Sequence, residues 1–125
     1  MIRKSQRKIK NQKKLRDYRR KLTIRKKISG TAEIPRICTI KTNMHLQVQI
    51  IDDVAGKTLA SIQTYGKNKV ADKGNIETAA VVGKAVSEKL AAMNVKKAVF
   101  DRNGKKYCGV ISAVASKIRE NGIQI

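Results

Sequence analysis

The first 29 residues limit how this chain can fold more than any other feature, because they carry too much positive charge to enter a core. They contain fourteen basic side chains and one acidic one, hence a net charge of +13. Burial of unpaired charges costs far more than a small domain can offset. Any core must therefore come from residues 30–125, and we predict a basic arm (1–29) followed by one globular domain (30–125).

The arm has the composition of a helix that lacks a core of its own. It contains no Gly and no Pro, and its Lys, Arg, Gln and Leu residues favour helix. Leu15, Tyr18 and Leu22 follow the i, i+3, i+7 spacing of a narrow apolar stripe. Each pair of like charges at i, i+4 opposes the helix by about 0.2–0.5 kcal/mol. We therefore expect the free arm to fray and to become ordered when a polyanion neutralises it.

The net charge of the whole chain, +20, indicates a polyanionic partner. Nucleic acid is favoured over a membrane surface, because its phosphates are closely spaced and each cationic contact releases a condensed counterion. A solvated tail that only keeps the protein soluble is the simpler interpretation of the arm. Fourteen basic residues against one acid exceed what solubility requires. No apolar stretch approaches the ~20 residues that span a bilayer, and no membrane partner is expected.

The residues that catalysis would need are too few or poorly placed. His45 is the only histidine, and no nucleophile motif surrounds it. A two-metal nuclease would require carboxylates such as Asp52, Asp53 and Asp101, but the first two belong to turn chemistry, where acids are common. Gly104-Lys105-Lys106 lacks the earlier glycine of a phosphate-binding loop. We expect neither an enzyme nor a cofactor, a metal site or a small-molecule substrate.

The two cysteines favour a reducing compartment. Cys38 and Cys108 lie 70 positions apart and no CxxC motif is present, so they fit neither a disulfide framework nor a zinc site. We expect both to be small buried apolar residues and the protein to be cytoplasmic.

The first half of the globular domain has the period of β-strands. Residues 36–41, 46–50 and 57–63 alternate between two faces and are rich in β-branched side chains. Turn-forming residues follow the second segment at 52–56. Because the connections are short, these three strands should form an antiparallel meander.

The second half has a helical period interrupted by one short strand. Asn75 is placed to cap a helix whose apolar stripe is Ala79, Val82, Val86, Leu90 and Met93. Residues 96–100 should form a fourth strand, which follows a helix and so should run parallel to a strand of the meander. A last helix should begin near Gly109 and end at Asn121-Gly122, and residues 123–125 could add a very short edge strand. The fold class is therefore α/β, with a mixed sheet and packed helices behind a basic helical arm.

Several motifs in this domain occur in the order and spacing of a known family. These segments are Gly30-Thr31-Ala32-Glu33-Ile34-Pro35-Arg36, Asn43-x-His45, Gln49-Ile50-Ile51-Asp52-Asp53, Gly56-x-Thr58-Leu59-Ala60-Ser61, Val99-Phe100-Asp101-Arg102-x-Gly104, Tyr107-x-Gly109 and Arg119-Glu120-Asn121-Gly122. From about Arg25 to the C-terminus, the chain resembles the bacterial large-subunit ribosomal protein number eighteen, the family that docks 5S ribosomal RNA.

The resemblance implies a structural component of the large ribosomal subunit. Such a protein binds 5S rRNA, helps attach it to 23S rRNA in the central protuberance, and contacts neighbouring ribosomal proteins. The implied fold is similar to the ribonuclease-H-like arrangement, with strand order three-two-one-four. Two alternatives stay open at this point: a small-subunit ribosomal protein of related fold, and a free basic RNA chaperone.

The expected RNA-binding residues lie in the arm, at the start of the first strand, in the first hairpin and in the loop after the fourth strand. Where the family usually has Arg, this chain has Val110, which cannot bind a phosphate, so that position is left out. Aromatic residues are scarce, which favours recognition of RNA backbone and shape over base stacking. The expected contacts are Arg3, Lys4, Arg7, Lys8, Lys10, Lys13, Lys14, Arg16, Arg19, Arg20, Arg25, Lys26, Lys27, Arg36, Lys41, Thr42, Asn43, His45, Arg102, Lys105, Lys106 and Tyr107.

Overall fold

A long helix precedes a mixed α/β domain in the structure, a computed structural model that describes residues 11–67 and 69–125. Within these residues the order of elements is helix, three strands, helix, strand, helix. The predicted fold class is confirmed. The elements are α1 (Gln12–Lys27), β1 (Arg36–Lys41), β2 (Leu46–Asp52), β3 (Lys57–Gln63), α2 (Ile76–Ala92), β4 (Val99–Asp101) and α3 (Val110–Glu120).

The four strands form one sheet in the order β3-β2-β1-β4, which is the order that the family resemblance implied. Strands β1, β2 and β3 pair antiparallel through short connections. Strand β4 pairs parallel with β1, with Arg36 opposite Val99 and Cys38 opposite Asp101. Because β1 and β4 are parallel, the hairpin after β1 and the loop after β4 leave the sheet at the same end.

One face of the sheet supplies half of the core. Burial alternates strictly along β2, as the period-two pattern predicted, and α2 and α3 pack on the face that carries the buried residues. Asn75 caps α2 through a reciprocal capping box with Thr78, which confirms the predicted start of that helix. The core residues with no exposed surface are Ile37, Leu46, Val48, Ile50, Ala79, Val82, Val86, Leu90, Val114, Ala115 and Ile118.

The fourth strand is shorter than predicted and is displaced toward the C-terminus. Residues 96–98 were expected to begin it, but only Val99–Asp101 pairs with β1. Lys97 instead forms an isolated parallel bridge with Gln124, so the terminal residues continue the sheet edge beside β4. Apolar content alone could not show which part of this segment reaches β1.

Helix α1 lies against the domain and is held at two places. The ammonium of Lys105 is 3.2 Å from the carboxylate of Asp17, in the first half of the helix. In the second half, Arg25 is 3.6 Å from Asp53. Gly104 has a positive φ of 76°, and a Cβ there would lie 3.0 Å from the carbonyl oxygen of Asp17. The chain therefore needs glycine where this loop touches the helix.

Candidate RNA-binding surface

The buried side chain of Arg36 joins three segments of the chain. Its Nε and Nη2 donate to the two carboxylate oxygens of Asp53 at 2.9 and 3.0 Å, and its Nη1 donates to Asp101 at 2.7 Å. The Arg36 side chain is 5% exposed and that of Asp101 is 2% exposed. This bidentate pair and the second carboxylate hold the beginning of β1 to the end of β2 and to β4.

Asp53 extends this network to the connection between the arm and the domain. Its Oδ2 accepts a hydrogen bond from the backbone N–H of Gly30 at 2.8 Å, and its own N–H donates to the carbonyl of Gly30 at 3.0 Å. A Cβ at Gly30 would lie 2.4 Å from the backbone nitrogen of Arg36, so a larger residue fits only if the backbone shifts. The hydrogen bond from Arg36, with help from Gly30 and Arg25, holds the pKa of Asp53 below its ordinary value.

The buried position of Arg36 does not favour the predicted phosphate contact. Every side-chain nitrogen of Arg36 donates to a carboxylate, and burial leaves no cationic surface for RNA. Burial alone would lower the pKa of Arg36, but Asp53 and Asp101 raise it above the ordinary value. Its sequence position beside the arm suggested a surface role, whereas its partners lie 17 and 65 residues away.

The described part of the arm is a strongly cationic helix. Helix α1 begins with an Asn11 cap that accepts hydrogen bonds from the backbone of Lys13 and Lys14, and Asp17 forms an ion pair with Arg20 at 2.9 Å. Lys105, with help from Arg20 and Lys13, holds the pKa of Asp17 below its ordinary value. Five further cations are exposed and form no ion pair with any residue of 11–67 or 69–125: Lys14, Arg16, Arg19, Lys26 and Lys27.

Five predicted contacts of the arm lie outside the described residues. They are Arg3, Lys4, Arg7, Lys8 and Lys10. The contacts predicted within α1 are Lys13, Lys14, Arg16, Arg19, Arg20, Arg25, Lys26 and Lys27, and the helix brings them onto one element. Lys21, which the prediction left out, lies against Gly104.

The β1–β2 hairpin is held by its own side chains. The hydroxyl of Thr42 accepts from the N–H of His45 and donates to its carbonyl oxygen, at 3.1 and 3.2 Å. Lys41 donates to the carbonyl of Thr42. His45 Nδ1 is 3.1 Å from the Thr64 hydroxyl. Asn43 is exposed at the tip and makes no hydrogen bond with other described residues, so it is the hairpin side chain most open to a ligand.

The β4–α3 loop carries the second predicted cluster. Arg102 donates from Nη1 to the carbonyl oxygen of Lys105 at 2.7 Å, which rigidifies the loop. Lys106 is exposed, and Tyr107 is 45% exposed with its hydroxyl accepting from Arg119 at 3.1 Å. Arg119 belongs to a family-like motif, but sequence reasoning did not count it as a site residue. Its contact across 12 positions of chain could not be inferred from spacing.

The hairpin, the β4–α3 loop and the first half of α1 lie at one end of the molecule. Both loops leave the sheet at the carboxyl ends of parallel strands, and Lys105 ties α1 to the second loop. The start of α2 joins them, since the N–H of Gly74 donates to the carbonyl of Met44 at 2.8 Å. Helix N-termini carry partial positive charge, which adds to that of the side chains. We call this end the basic end.

The remaining chemical groups of the described chain offer no catalytic site. Asp52 accepts hydrogen bonds from the backbone N–H groups of Val54 and Ala55, and Asp53 and Asp101 are paired with Arg36. No group of three potential metal ligands occurs among the described residues. Cys38 is buried as expected, and burial raises the pKa of its thiol, but Cys108 is exposed, contrary to our expectation. None of the described helices has both the length and the apolar character of a membrane span.

The fold and the basic end define a class: small, strongly basic α/β proteins with a cationic surface that suits a polyanion. A family model described as ribosomal L18 of archaea, bacteria, mitochondria and chloroplasts matches residues 9–125. Among similar proteins, the large ribosomal subunit protein uL18 of Lactobacillus johnsonii is 48% identical over 115 residues, which cover 92% of this chain and 94% of the relative. The proteins of the same name from Treponema denticola and Lactobacillus acidophilus are 44% and 49% identical, over 94% and 91% of this chain and 98% and 93% of the relatives.

The chain therefore belongs to the ribosomal L18 family. As a member of this family it is a structural component of the large ribosomal subunit and not an enzyme. This finding favours the large subunit over the small-subunit and chaperone alternatives that the sequence left open.

Proposed function

We propose that this protein binds 5S rRNA through its basic end and arm, and helps attach that RNA to 23S rRNA in the central protuberance. The observation that carries the proposal is the gathering of unpaired cations: α1, the hairpin and the β4–α3 loop converge at the basic end. We also expect the protein to contact neighbouring proteins of the large ribosomal subunit and to lie, within the ribosome, in the cytoplasm.

The arrangement of these cations suits the backbone of folded RNA. Those of α1 are spaced along one rigid rod of 16 residues, about 24 Å at 1.5 Å per residue, and RNA phosphates lie close together along a groove. Lys105 fixes the angle between this helix and the loops, so RNA binding costs less conformational entropy. Asn43 adds an amide that can bond ribose or a base edge.

The salt dependence of binding to a 5S rRNA transcript tests the arm. Each phosphate contact contributes about 0.9 to the slope of log K against log salt concentration. Replacing Lys14, Arg16 and Arg19 together by Gln should therefore reduce the slope by up to about 2.7, three times the single contribution. Filter binding between 50 and 200 mM salt provides the measurement.

A matched control removes the same charge from another surface. Lys57, Lys84 and Lys89 are exposed on β3 and α2, away from the basic end, and their replacement by Gln should leave the slope almost unchanged. Equal slopes for the two triple variants would reject the arm as the contact surface.

A competition experiment tests the identity of the RNA. Wild-type protein should retain 5S rRNA against an excess of transfer RNA at physiological salt, because the hairpin and loop read a particular backbone shape. Equal displacement by both RNAs would reject 5S rRNA as the specific partner. Asn43→Ala should weaken binding with little change of slope, since it removes no charge.

A further inference from the structure

A cleft lies between α1 and the outer edge of the sheet. Its volume is about 630 Å³, within the range of about 300–1,000 Å³ that ligand pockets typically have. The walls are largely apolar and come from the last turns of α1 (Ile24, Ile28), from β4 (Val99, Phe100) and from the terminal residue Ile125. A ligand with an apolar part would be dehydrated there.

The rim of the cleft is cationic. Lys27, Arg102 and Arg119 line it, and none of the three forms an ion pair with a carboxylate of residues 11–67 or 69–125. Arg102 donates to a loop carbonyl and Arg119 to the Tyr107 hydroxyl, so each is positioned while keeping its charge. The occupant should therefore carry negative charge beside its apolar part.

The ring of Tyr107 is fixed at the mouth of this cleft. It meets Phe100 edge to face, with ring centroids 5.9 Å apart and an angle of 82° between the planes. Its hydroxyl is held by Arg119 at 3.1 Å, and 45% of the residue remains exposed. An aromatic ring that is held by a neighbouring ring and by its own hydroxyl, and is still partly exposed, offers a stacking surface that does not have to be ordered on binding.

We propose that the cleft holds one unstacked nucleotide of the bound RNA, with its base against Tyr107 and the apolar walls and its phosphates at the cationic rim. A nucleotide combines a flat, weakly polar ring with adjacent negative charge, and RNA loops and bulges supply such bases. The proposal rests on the proposed function, because it specifies how that RNA is held.

Binding of the full-length protein to a 5S rRNA transcript tests the stack. Tyr107→Leu keeps an apolar side chain but removes the flat ring. It should weaken binding about 5- to 150-fold, the ratio that corresponds to the ~1–3 kcal/mol of one base stack at ~1.4 kcal/mol per tenfold. The salt slope should stay at the wild-type value, because no charge is lost. Tyr107→Phe keeps the ring but loses the hydrogen bond to Arg119, so it should weaken binding much less than Tyr107→Leu does.

Ultraviolet crosslinking identifies the occupant directly. Mass spectrometry of the irradiated wild-type complex should place one nucleotide on Tyr107 or Phe100, and this crosslink should disappear in Tyr107→Leu. Thermal unfolding of each variant without RNA checks that the domain stays folded, and crosslinking of Tyr107→Phe decides the matter if the Leu variant unfolds.

The outcomes separate this inference from the proposed function. If wild-type protein selects 5S rRNA but Tyr107→Leu binds equally well, or crosslinks fall only outside the cleft, the cleft inference is overturned and 5S binding stands. If 5S rRNA is not selected, crosslinking to total ribosomal RNA decides the cleft: a nucleotide on Tyr107 supports it, and none overturns it. A protein or a lipid crosslinked at Tyr107 instead of RNA would also overturn it.

Discussion

Replacing Arg36 by Met tests the role of the buried ion-pair network. Methionine has a similar length and no charge, so the change removes three hydrogen bonds while filling most of the same space. It leaves the carboxylate of Asp101, only 2% exposed, without its cationic partner. Removing one member of a buried pair typically costs about 3–5 kcal/mol. A domain of this size has about 5–15 kcal/mol of stability in total, so the variant should be marginally stable.

Urea unfolding of the two proteins gives the free energy of unfolding. Arg36→Met should shift the midpoint strongly with little change of slope. Adding Asp53→Asn and Asp101→Asn should recover much of the loss, because buried pairs replaced as a whole are often close to neutral. Wild-type protein also loses stability in acid, as Asp53 becomes protonated, so the difference between wild type and variant should shrink there.

RNA binding separates this structural role from a phosphate contact. Measured under conditions where Arg36→Met is folded, the salt slope for 5S rRNA should equal that of wild type, whereas exposed Lys26→Met should lower the slope by about 0.9. The reasoning is refuted if Arg36→Met costs less than about 1 kcal/mol, the scale of an exposed pair, or if it lowers the slope as Lys26→Met does.

Three further predictions concern other parts of the fold. Asn75→Ala should lower the free energy of unfolding by about 1 kcal/mol through loss of the α2 cap, measured by thermal unfolding against exposed Ser116→Ala, which should change little. Gly30→Ala should destabilise the domain by about 1–3 kcal/mol, as overpacking does, because the new Cβ would lie 2.4 Å from the backbone nitrogen of Arg36. An unchanged melting temperature would contradict this prediction. Arg36 lowers the pKa of Asp53 below its ordinary value of 3.8. The stability that this ion pair contributes should therefore be complete above pH 3.8 and should be lost as the pH falls through the lowered pKa. An acid titration of Asp53→Asn should not show this loss.

Local patterns were sufficient to predict most elements of the domain. The alternation in residues 46–50 predicted both the strand and its buried face, which the structure confirms. Asn75 predicted the start of α2 because capping depends only on the next three residues. The family resemblance supplied the strand order, which local patterns do not contain. The extent of β4 was predicted incorrectly, since pairing with β1 and with Gln124 is decided by distant residues.

The sequence predicted less of the candidate site than of the fold. The pattern of charge identified α1 and the two loops, and the structure brings them to one end. It could not show that Arg36 is buried, because Asp53 and Asp101 become its partners only when the sheet closes. Nor could it reveal the contact between Asp17 and Lys105, 88 residues apart, or that Arg119 reaches Tyr107 to complete a cleft.

The parallel pairing of β1 with β4 has a consequence for synthesis of the chain. Arg36 leaves the peptidyl-transferase centre 65 residues before its partner Asp101, a delay of about 3–13 s at ~5–20 residues per second. During that interval the nascent sheet lacks β4, and α1 cannot contact Gly104 or Lys105. The basic helix therefore emerges early and acquires its fixed angle late. In nascent chains stalled on C-terminal extensions of increasing length, protease protection should appear only when the extension is long enough for residue 105 to clear the exit tunnel.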